Sequence, residues 1–300
     1  MNRRFRLSRE SRERMEDYAQ QGGGMPQAEK QPEKARPDTE AQVSEKLLAS
    51  AQAEEQARED FTVVTRTDIG RVRASNQDVV IHAEKLCGVA DGMGGHQGGE
   101  IASAFTRDSL IAQLANRAPD KGLLKQAVEA ANRRLFIRAR EEGPKGMGTT
   151  LSVIWVGPEE VYVAHVGDSR VYLLRDGELQ QQTDDHSMVM EMVRAGVITG
   201  EQAAAHPMRN VITRAIGTES GVDVDLLTVP RQKGDVWLIS TDGLHGMLSN
   251  ETMKQVLTER LPDLDAAADG LLSAALEAGG HDNVSLVLLF DQAGCREEKA

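Results

Sequence analysis

Aromatic residues are scarce in this sequence. Phe, Trp and Tyr together make up 3% of its 300 residues, which argues against the aromatic platform on which single-stranded nucleic acids stack. An excess of basic residues is also missing, because 47 Asp and Glu outnumber 35 Lys and Arg and give a formal net charge of −12. Nucleic-acid binding relies on Lys and Arg to neutralise phosphates. We therefore expect no nucleic-acid partner.

Long apolar runs are absent as well. No run in the sequence approaches the ~20 consecutive apolar residues that a membrane-spanning helix needs. The Arg-rich start is not followed by the apolar segment of a secretory signal. These features predict a cytoplasmic protein with no integral membrane segment.

Cysteine and histidine are few. The two cysteines, Cys87 and Cys295, form no disulfide framework and lack metal-ligand spacing. Cys87 lies in an apolar run and is expected in the core. The seven histidines are scattered and include no H-E-x-x-H motif, which argues against a zinc hydrolase.

Residues 1–58 differ in composition from the remainder. They hold charge clusters, the run Gly22–Gly24, three prolines and many Gln and Glu residues, so they bury too little apolar surface to offset the entropy of ordering. We predict a disordered extension, with a weak helical pattern from Val43 to Asp60, that is a solvated tail or else a tether or regulatory arm. A folded domain over residues 59–292 and a tail over residues 293–300 complete the predicted organisation.

Hydrophobic periodicity divides the folded part into strands and helices. Strands are predicted at residues 61–68, 79–83, 86–90, 150–156, 161–166, 171–174, 178–179, 222–229, 236–240 and 284–291, and helices at residues 101–114, 123–139, 188–196, 201–205, 250–257 and 264–276. Because strands come in runs flanked by paired helices, we expect two packed sheets with helices outside rather than an alternating parallel fold.

Between Ala90 and Glu100 lie one carboxylate, Asp91, and five glycines. Glycine lets backbone groups approach a ligand closely, because it has no Cβ. A strand-end aspartate beside such a loop is suited to a hard cation, which prefers carboxylate and carbonyl oxygens. The alternative for this stretch alone is a glycine-rich connection with an exposed Asp, since Asp-Gly is common turn chemistry.

Four further aspartates also lie at the ends of predicted strands. Asp168 and Asp242 follow apolar strand ends and adjoin glycine, whereas Asp78 and Asp282 precede strands. Carboxylates at strand ends on one edge of a sheet can converge on one pocket, where they repel one another unless cations neutralise them. Oxygen ligands without clustered His or Cys indicate Mg²⁺ or Mn²⁺ rather than zinc.

Together these motifs resemble a known family. The set comprises Arg73-x-x-Asn76-Gln77-Asp78, Asp91-Gly92-Met93-Gly94-Gly95-His96, Gly148-Thr149-Thr150, Gly167-Asp168-Ser169-Arg170, Asp185-His186-Ser187, Ser240-Thr241-Asp242-Gly243 and Gly280-x-Asp282-Asn283. It resembles the metal-dependent serine/threonine protein phosphatases (type 2C) of the bacterial branch, from about Thr65 to Phe290.

The resemblance implies an α+β fold, a four-layer α/β/β/α sandwich in which two antiparallel sheets are flanked by helix pairs. It also implies a small flap at about residues 187–214. The implied activity is hydrolysis of phosphoserine and phosphothreonine in proteins, in which a water activated by two metals attacks phosphorus in line without a covalent intermediate. The expected partner is a cognate bacterial serine/threonine kinase that the enzyme opposes, and we expect a monomer.

The resemblance also implies residue roles. Asp91 would bridge two core ions, Mn²⁺ or Mg²⁺, with Gly92 lending its carbonyl, while Asp242 and Asp282 complete the first site. Asp168 would contribute to a third, weaker ion.

Other matched positions would support these ligands. Arg73 would bind the substrate phosphate with its bidentate fork. Asp78 would act near the metals through water. Gln77 and Asn283 would lie next to the metal ligands without binding the ions directly.

Two positions depart from the family pattern. Gln77 stands where the family often has Glu, so one water-held carboxylate is missing. Met93 stands where animal members have a proposed acid, a His, and bacterial members generally have Met. The proton donor therefore stays open between His96, His186 and a metal-bound water.

Other readings of the glycine-rich stretches fit less well. Residues 92–99 do not match G-x-G-x-x-G, and residues 143–148 have Walker spacing but are followed by Thr149 instead of Lys. Two alternative functions are compatible with the motifs. One is an inactive metal-binding regulatory domain that acts by partner binding, and the other is a phosphatase dedicated to an anti-anti-sigma-type regulator.

Overall fold

A computed structural model describes residues 61–141, 144 and 146–293, apart from the side chains of His96 and Ala204. The predictions for residues 1–58, for the helical pattern up to Asp60 and for Cys295 lie outside the described residues, as does almost all of the predicted tail.

Two antiparallel sheets form the centre of the fold. Their strands are β1 (Phe61–Asp68), β2 (Asp78–Ala83), β3 (Leu86–Met93), β4 (Gly148–Thr149), β5 (Leu151–Val156), β6 (Glu160–Val166), β7 (Arg170–Arg175), β8 (Glu178–Gln181), β9 (Asp225–Pro230), β10 (Val236–Ser240) and β11 (Val284–Asp291). The first sheet has the order β1, β11, β10, β7, β8, and the second has the order β2, β3, β5, β6, β9, with β4 paired to the end of β3.

Helices cover the outer face of each sheet. They are α1 (Gly95–Leu114), α2 (Lys121–Glu141), α3 (Met188–Arg194), α4 (Gly200–Ala204), α5 (Asp242–His245), α6 (Asn250–Arg260) and α7 (Leu264–Glu277). The pair α1 and α2 packs on the second sheet, and α6 and α7 pack on the first. The predicted four-layer α+β sandwich is confirmed.

Three apolar layers explain why the central strands are so rich in Val, Leu and Ile. On β11, Val284, Leu286 and Leu288 face the α6–α7 side, whereas Val287 and Leu289 face the second sheet. A strand buried on both faces has no polar face, so its sequence is a continuous apolar run. Cys87 lies in the layer between the sheets, as expected, and is fully buried.

Some element bounds differ from the predictions. Helix α1 begins at Gly95, inside the glycine-rich stretch, because tertiary packing overrides the low helix propensity of glycine. Strand β9 begins at Asp225, three residues later than predicted from Val222. The two-residue β4 and the four-residue α5 were not predicted, since elements this short leave no periodic signal.

None of the helices in the described part of the chain is long and apolar enough to cross a membrane.

Candidate metal and phosphate site

Asp91 lies inside β3, two residues before its end, and not just after the strand as the sequence suggested. It pairs with Asp78, the first residue of β2. Directly opposite side chains of an antiparallel pair share one face of the sheet. The two carboxylates are therefore neighbours at the edge where the site forms.

Thr241 orients the Asp78 carboxylate. Its Oγ1 donates a hydrogen bond to Asp78 Oδ2 at 2.8 Å and accepts the backbone N–H of Ser285 at 3.1 Å. Sequence reasoning missed this role, because the only available signal was the position of Thr241 beside Asp242.

Asp168 and Asp242 lie in two connections that follow strands β6 and β10. Asp168 lies in the turn between β6 and β7, and Asp242 is the first residue of α5. In each, Oδ1 is buried and has no hydrogen-bond partner among the described residues. Buried polar atoms are nearly always paired, so two unpaired carboxylate oxygens in one region fit the ligand set of a bound cation.

The carboxylates of this cluster raise one another's pKa values. Burial is the largest cause and raises the pKa of Asp78 to about 7, of Asp168 to about 8 and of Asp242 to about 6. Burial also raises the pKa of Asp91 well above its ordinary value, and the charges of Asp78, Asp242, Asp168 and Asp282 add to this rise. Acids that repel one another in this way are neutralised by protons or by bound cations.

Arg73 lies beside the cluster. Its Nη2 donates to Asp282 Oδ2 at 2.5 Å, and the side chain of Arg73 is half exposed. This hydrogen bond, together with the charges of Asp282, Asp91 and Asp242, raises the pKa of Arg73. Its Nε and Nη1 donate to no residue in the described part of the chain, so they are available to phosphoryl oxygens.

Asn283 holds the segment that presents Arg73. Its Nδ2 donates to the carbonyl groups of Ile69 and Ser75, each at 3.0 Å, and its Oδ1 accepts the N–H of Gln77 at 2.8 Å. A residue at the start of β11 thus fixes a loop more than 200 positions away in sequence.

The glycines of the central stretch allow backbones to touch. A Cβ on Gly92 would lie 2.0 Å from the carbonyl oxygen of Gly99, so the end of β3 can meet the first turn of α1 only without side chains. Gly92 also donates its N–H to the carbonyl of Gln77 at 3.2 Å.

The residue types fit divalent cations. The donors are carboxylate oxygens, which Mg²⁺ and Mn²⁺ prefer, and the two unpaired oxygens of Asp168 and Asp242 lie among them. No group of three His, Cys, Asp or Glu side chains in the described residues is already arranged to hold one ion. Asp282, one of the predicted metal ligands, forms an ion pair with Arg73.

His186, one of the candidate proton donors, is built into the framework. It is buried, its Nδ1 accepts the N–H of Gly167 at 3.0 Å, and its Nε2 lies 3.1 Å from Asp225 Oδ2. Because Nδ1 accepts, the proton of the neutral ring is on Nε2. This nitrogen also lies 3.0 Å from Nη1 of Arg214. Burial lowers the pKa of His186. The side chain of the other candidate, His96, lies outside the description.

Comparison with known proteins identifies the family. The family model described as "Protein phosphatase 2C" matches residues 71–278. Protein phosphatase PhpP from Streptococcus pneumoniae serotype 2 (strain D39 / NCTC 7466) is 36% identical over 233 residues, which cover 74% of this chain and 94% of that protein. The chain belongs to the protein phosphatase 2C family.

Solved structures of protein phosphatase 2C relatives support this assignment. The crystal structure of the Mycobacterium tuberculosis serine/threonine phosphatase PstP/Ppp superimposes with a TM-score of 0.74 and 38% identity, covering 78% of this chain and 99% of that chain. The catalytic domain of PstP in complex with two manganese ions gives a TM-score of 0.71 and 36% identity, again covering 78% and 99%. By class, the present chain is a serine/threonine protein phosphatase.

The segment predicted as the flap, about residues 187–214, lies between β8 and β9 and contains α3 and α4. Backbone hydrogen bonds join the two ends of this segment. Met188 N–H donates to the carbonyl of Val211 at 2.9 Å, and Thr213 N–H donates to the carbonyl of His186 at 2.8 Å. His186 N–H in turn donates to the carbonyl of Gly167 at 2.7 Å. The base of the flap therefore rests on the turn that carries Asp168.

Proposed function

We propose that this phosphatase hydrolyses phosphoserine and phosphothreonine in proteins at the carboxylate cluster, with Arg73 binding the phosphoryl group. The observation that carries the proposal is the gathering of Asp78, Asp91, Asp168 and Asp242 into one buried, mutually repelling group beside a half-exposed guanidinium. Such a group is stable in its ionised form only with cations.

Asp91, Asp242 and Asp282, with the carbonyl of Gly92, would hold two core cations, Mn²⁺ or Mg²⁺, and Asp168 would hold a third, weaker one. Bound there, the cations would lower the pKa of a water and neutralise charge on the phosphoryl group. The two manganese ions in the PstP catalytic domain and the unpaired oxygens of this chain support this assignment.

Within this arrangement, the chain's own residues orient the substrate. Arg73 offers free N–H groups to two phosphoryl oxygens, and Asn283 fixes the backbone on either side of it. Asp78, held by Thr241, would orient water at the cluster.

Water is proposed as the direct nucleophile. The one cysteine thiol in the described residues, that of Cys87, is fully buried, and burial raises its pKa to about 12. A thiol needs to be an accessible thiolate to attack phosphorus, so a covalent cysteine mechanism does not fit this site.

The flap would contact protein substrates. Val197, Met208 and Val211, three of its large apolar side chains, are exposed, and we assign them to contact with the substrate protein. We place the action of the enzyme, as a monomer, in the cytoplasm, where it would oppose a bacterial serine/threonine kinase. The inactive-domain alternative is disfavoured, because Arg73 and all five aspartates are gathered at one site.

The test is phosphate release from a phosphothreonine peptide, measured with Mn²⁺, with Mg²⁺ and with excess chelator, beside a matched phosphotyrosine peptide. We expect release that depends on the cation and favours phosphothreonine. As a matched variant, Arg73→Lys keeps the charge but loses the bidentate fork, and it should raise KM for the peptide. Turnover that survives chelation, or that favours phosphotyrosine, would refute the proposal.

A further inference from the structure

Thr150 makes two hydrogen bonds to the backbone of Asp91. Its Oγ1 accepts the N–H of Asp91 at 2.9 Å, and its own N–H donates to the carbonyl of Asp91 at 2.8 Å. Thr150 is fully buried and lies between β4 and β5. Both backbone polar groups of the central aspartate are thus bound by one residue.

The same Thr150 side chain reaches the turn that carries Asp168. Its Oγ1 lies 2.7 Å from Ser169 Oγ, a hydrogen bond between two buried hydroxyls. On the other side of Asp168, a Cβ built on Gly167 would lie 2.7 Å from Cβ and Cγ2 of Thr150. Thr150 therefore contacts both sequence neighbours of Asp168 as well as Asp91.

This placement links the motif Gly148-Thr149-Thr150, to which the phosphatase chemistry has given no role, to the turn that carries Asp168. Asp91 is on β3 of the second sheet, whereas Asp168 is in the connection from that sheet to β7 of the first. The relative position of the two carboxylates depends on how these parts of the fold are joined. A hydroxyl pair at that joint would restrict the carboxylates to one separation, as precise ligand geometry requires.

We propose that the Thr150–Ser169 hydroxyl pair is a positioning element that fixes the carboxylate of Asp91 relative to that of Asp168. The inference rests on the proposed function, because it assigns the two carboxylates to one cation-binding site. Loss of the pair would leave the fold intact and loosen the arrangement of the two carboxylates.

A purely structural role makes a different prediction, and the chain contains a matched control for it. Ser152 is also fully buried, and its hydroxyl contacts the carbonyl of Ser169 at 2.8 Å and Nδ1 of His165 at 2.9 Å. Ser152 belongs to the same buried polar network, but no hydrogen bond joins its side chain to Asp91 in the described structure. Removing its hydroxyl tests the general cost of disturbing that network.

The experiment compares Thr150→Val, which keeps the shape and removes the hydroxyl, with Thr150→Ser, Ser169→Ala and Ser152→Ala in the full chain. Melting temperature, Mn²⁺ affinity by calorimetry, and kcat and KM on a phosphothreonine peptide are measured for each. Thr150→Val and Ser169→Ala should weaken Mn²⁺ binding and lower kcat by about tenfold or more, with little change in KM. Thr150→Ser, which keeps the hydroxyl, should retain wild-type Mn²⁺ affinity and kcat. Ser152→Ala should lower the melting temperature while keeping Mn²⁺ affinity and kcat.

Wild-type kcat and Mn²⁺ affinity in Ser169→Ala would overturn the positioning role, and so would equal losses in Ser152→Ala. If Thr150→Val fails to fold, Ser169→Ala and Thr150→Ser decide the question in the same way. A wild-type chain without phosphatase activity would instead refute the proposed function, while the calorimetric comparison would still test the positioning role.

Discussion

Asp78 and Asp91 lie directly opposite one another on two adjacent antiparallel strands. Side chains in such positions have their Cβ atoms about 5 Å apart, and like charges there are destabilising. Burial raises the pKa of Asp78 to about 7 and that of Asp91 well above its ordinary value. The pair is therefore a site where protonation, cation binding and stability are linked.

The first prediction concerns stability and pH without cations. The folded-state pKa values of Asp78, Asp168 and Asp242, about 7, 8 and 6, lie above the value near 4 of an unfolded chain. The folded protein thus binds more protons, so the contribution of these acids is complete below about pH 4 and is lost as the pH rises through about 6 to 8. In excess chelator, the melting temperature should fall across this window.

Saturating Mg²⁺ should flatten that fall, because a cation stabilises the ionised carboxylates. Asp78→Asn, which cannot ionise at this position, should show a weaker fall in chelator than the wild type. A melting temperature that rises between pH 6 and pH 8 in chelator would contradict the assignment of these raised pKa values.

The second prediction separates the core ions from the third one. Asp91→Asn removes a charge from the proposed bridging ligand, so Mn²⁺ affinity and turnover should fall together, turnover by several orders of magnitude. Calorimetry and steady-state kinetics on the same preparation measure both. Tight Mn²⁺ binding in Asp91→Asn would remove Asp91 from its proposed role.

Asp168→Ala provides the comparison. It should leave the core ions tightly bound and yet slow the hydrolysis of phosphoproteins. If Asp168 only stabilised the turn between β6 and β7, the variant would lose about 1 kcal/mol of stability and keep wild-type turnover at every Mn²⁺ concentration. That outcome would rule out the third ion.

The third prediction concerns the flap. Met208 is an exposed apolar residue on it, and Met208→Ala should raise KM for a phosphoprotein while leaving kcat/KM for a small aryl phosphate unchanged. Arg209→Ala, which changes the neighbouring residue, should show the same selectivity. The matched control is Ile137→Ala, because Ile137 is an exposed apolar residue on α2. Equal losses on both substrates would count against substrate contact by the flap.

The fourth prediction concerns residues 1–58, whose composition predicts no contribution to the chemistry. A chain that begins at Glu59 retains Phe61, the buried first residue of β1, and every residue of the cluster. It should keep wild-type kcat on a small phosphoester, and its melting temperature should match that of the full chain. A large drop in melting temperature would show that the segment from Val43 to Asp60 packs on the domain.

Much of the fold follows from local patterns. Strands β1, β10 and β11 were predicted with their observed bounds. Strands β10 and β11 are buried on both faces, so each is an apolar run with clear ends. The start of α1 was wrong, since its first turn consists largely of glycine and is helical only through packing against the end of β3. The role of His186 was left open by the sequence and decided by its contacts with Gly167 and Asp225.

The sequence by itself determined which motifs are present: recurrent Asp and Gly motifs predict a set of oxygen donors, and the family resemblance predicts that Arg73 binds phosphate. Only the tertiary structure decided the contacts between these motifs. It pairs Arg73 with Asp282, 209 positions away, joins Thr241 to Asp78, and places Thr150 between Asp91 and the Asp168 turn. The physical reason is that local periodicity reports which face of an element is buried, whereas such contacts depend on how strands distant in sequence are aligned and how the two sheets pack.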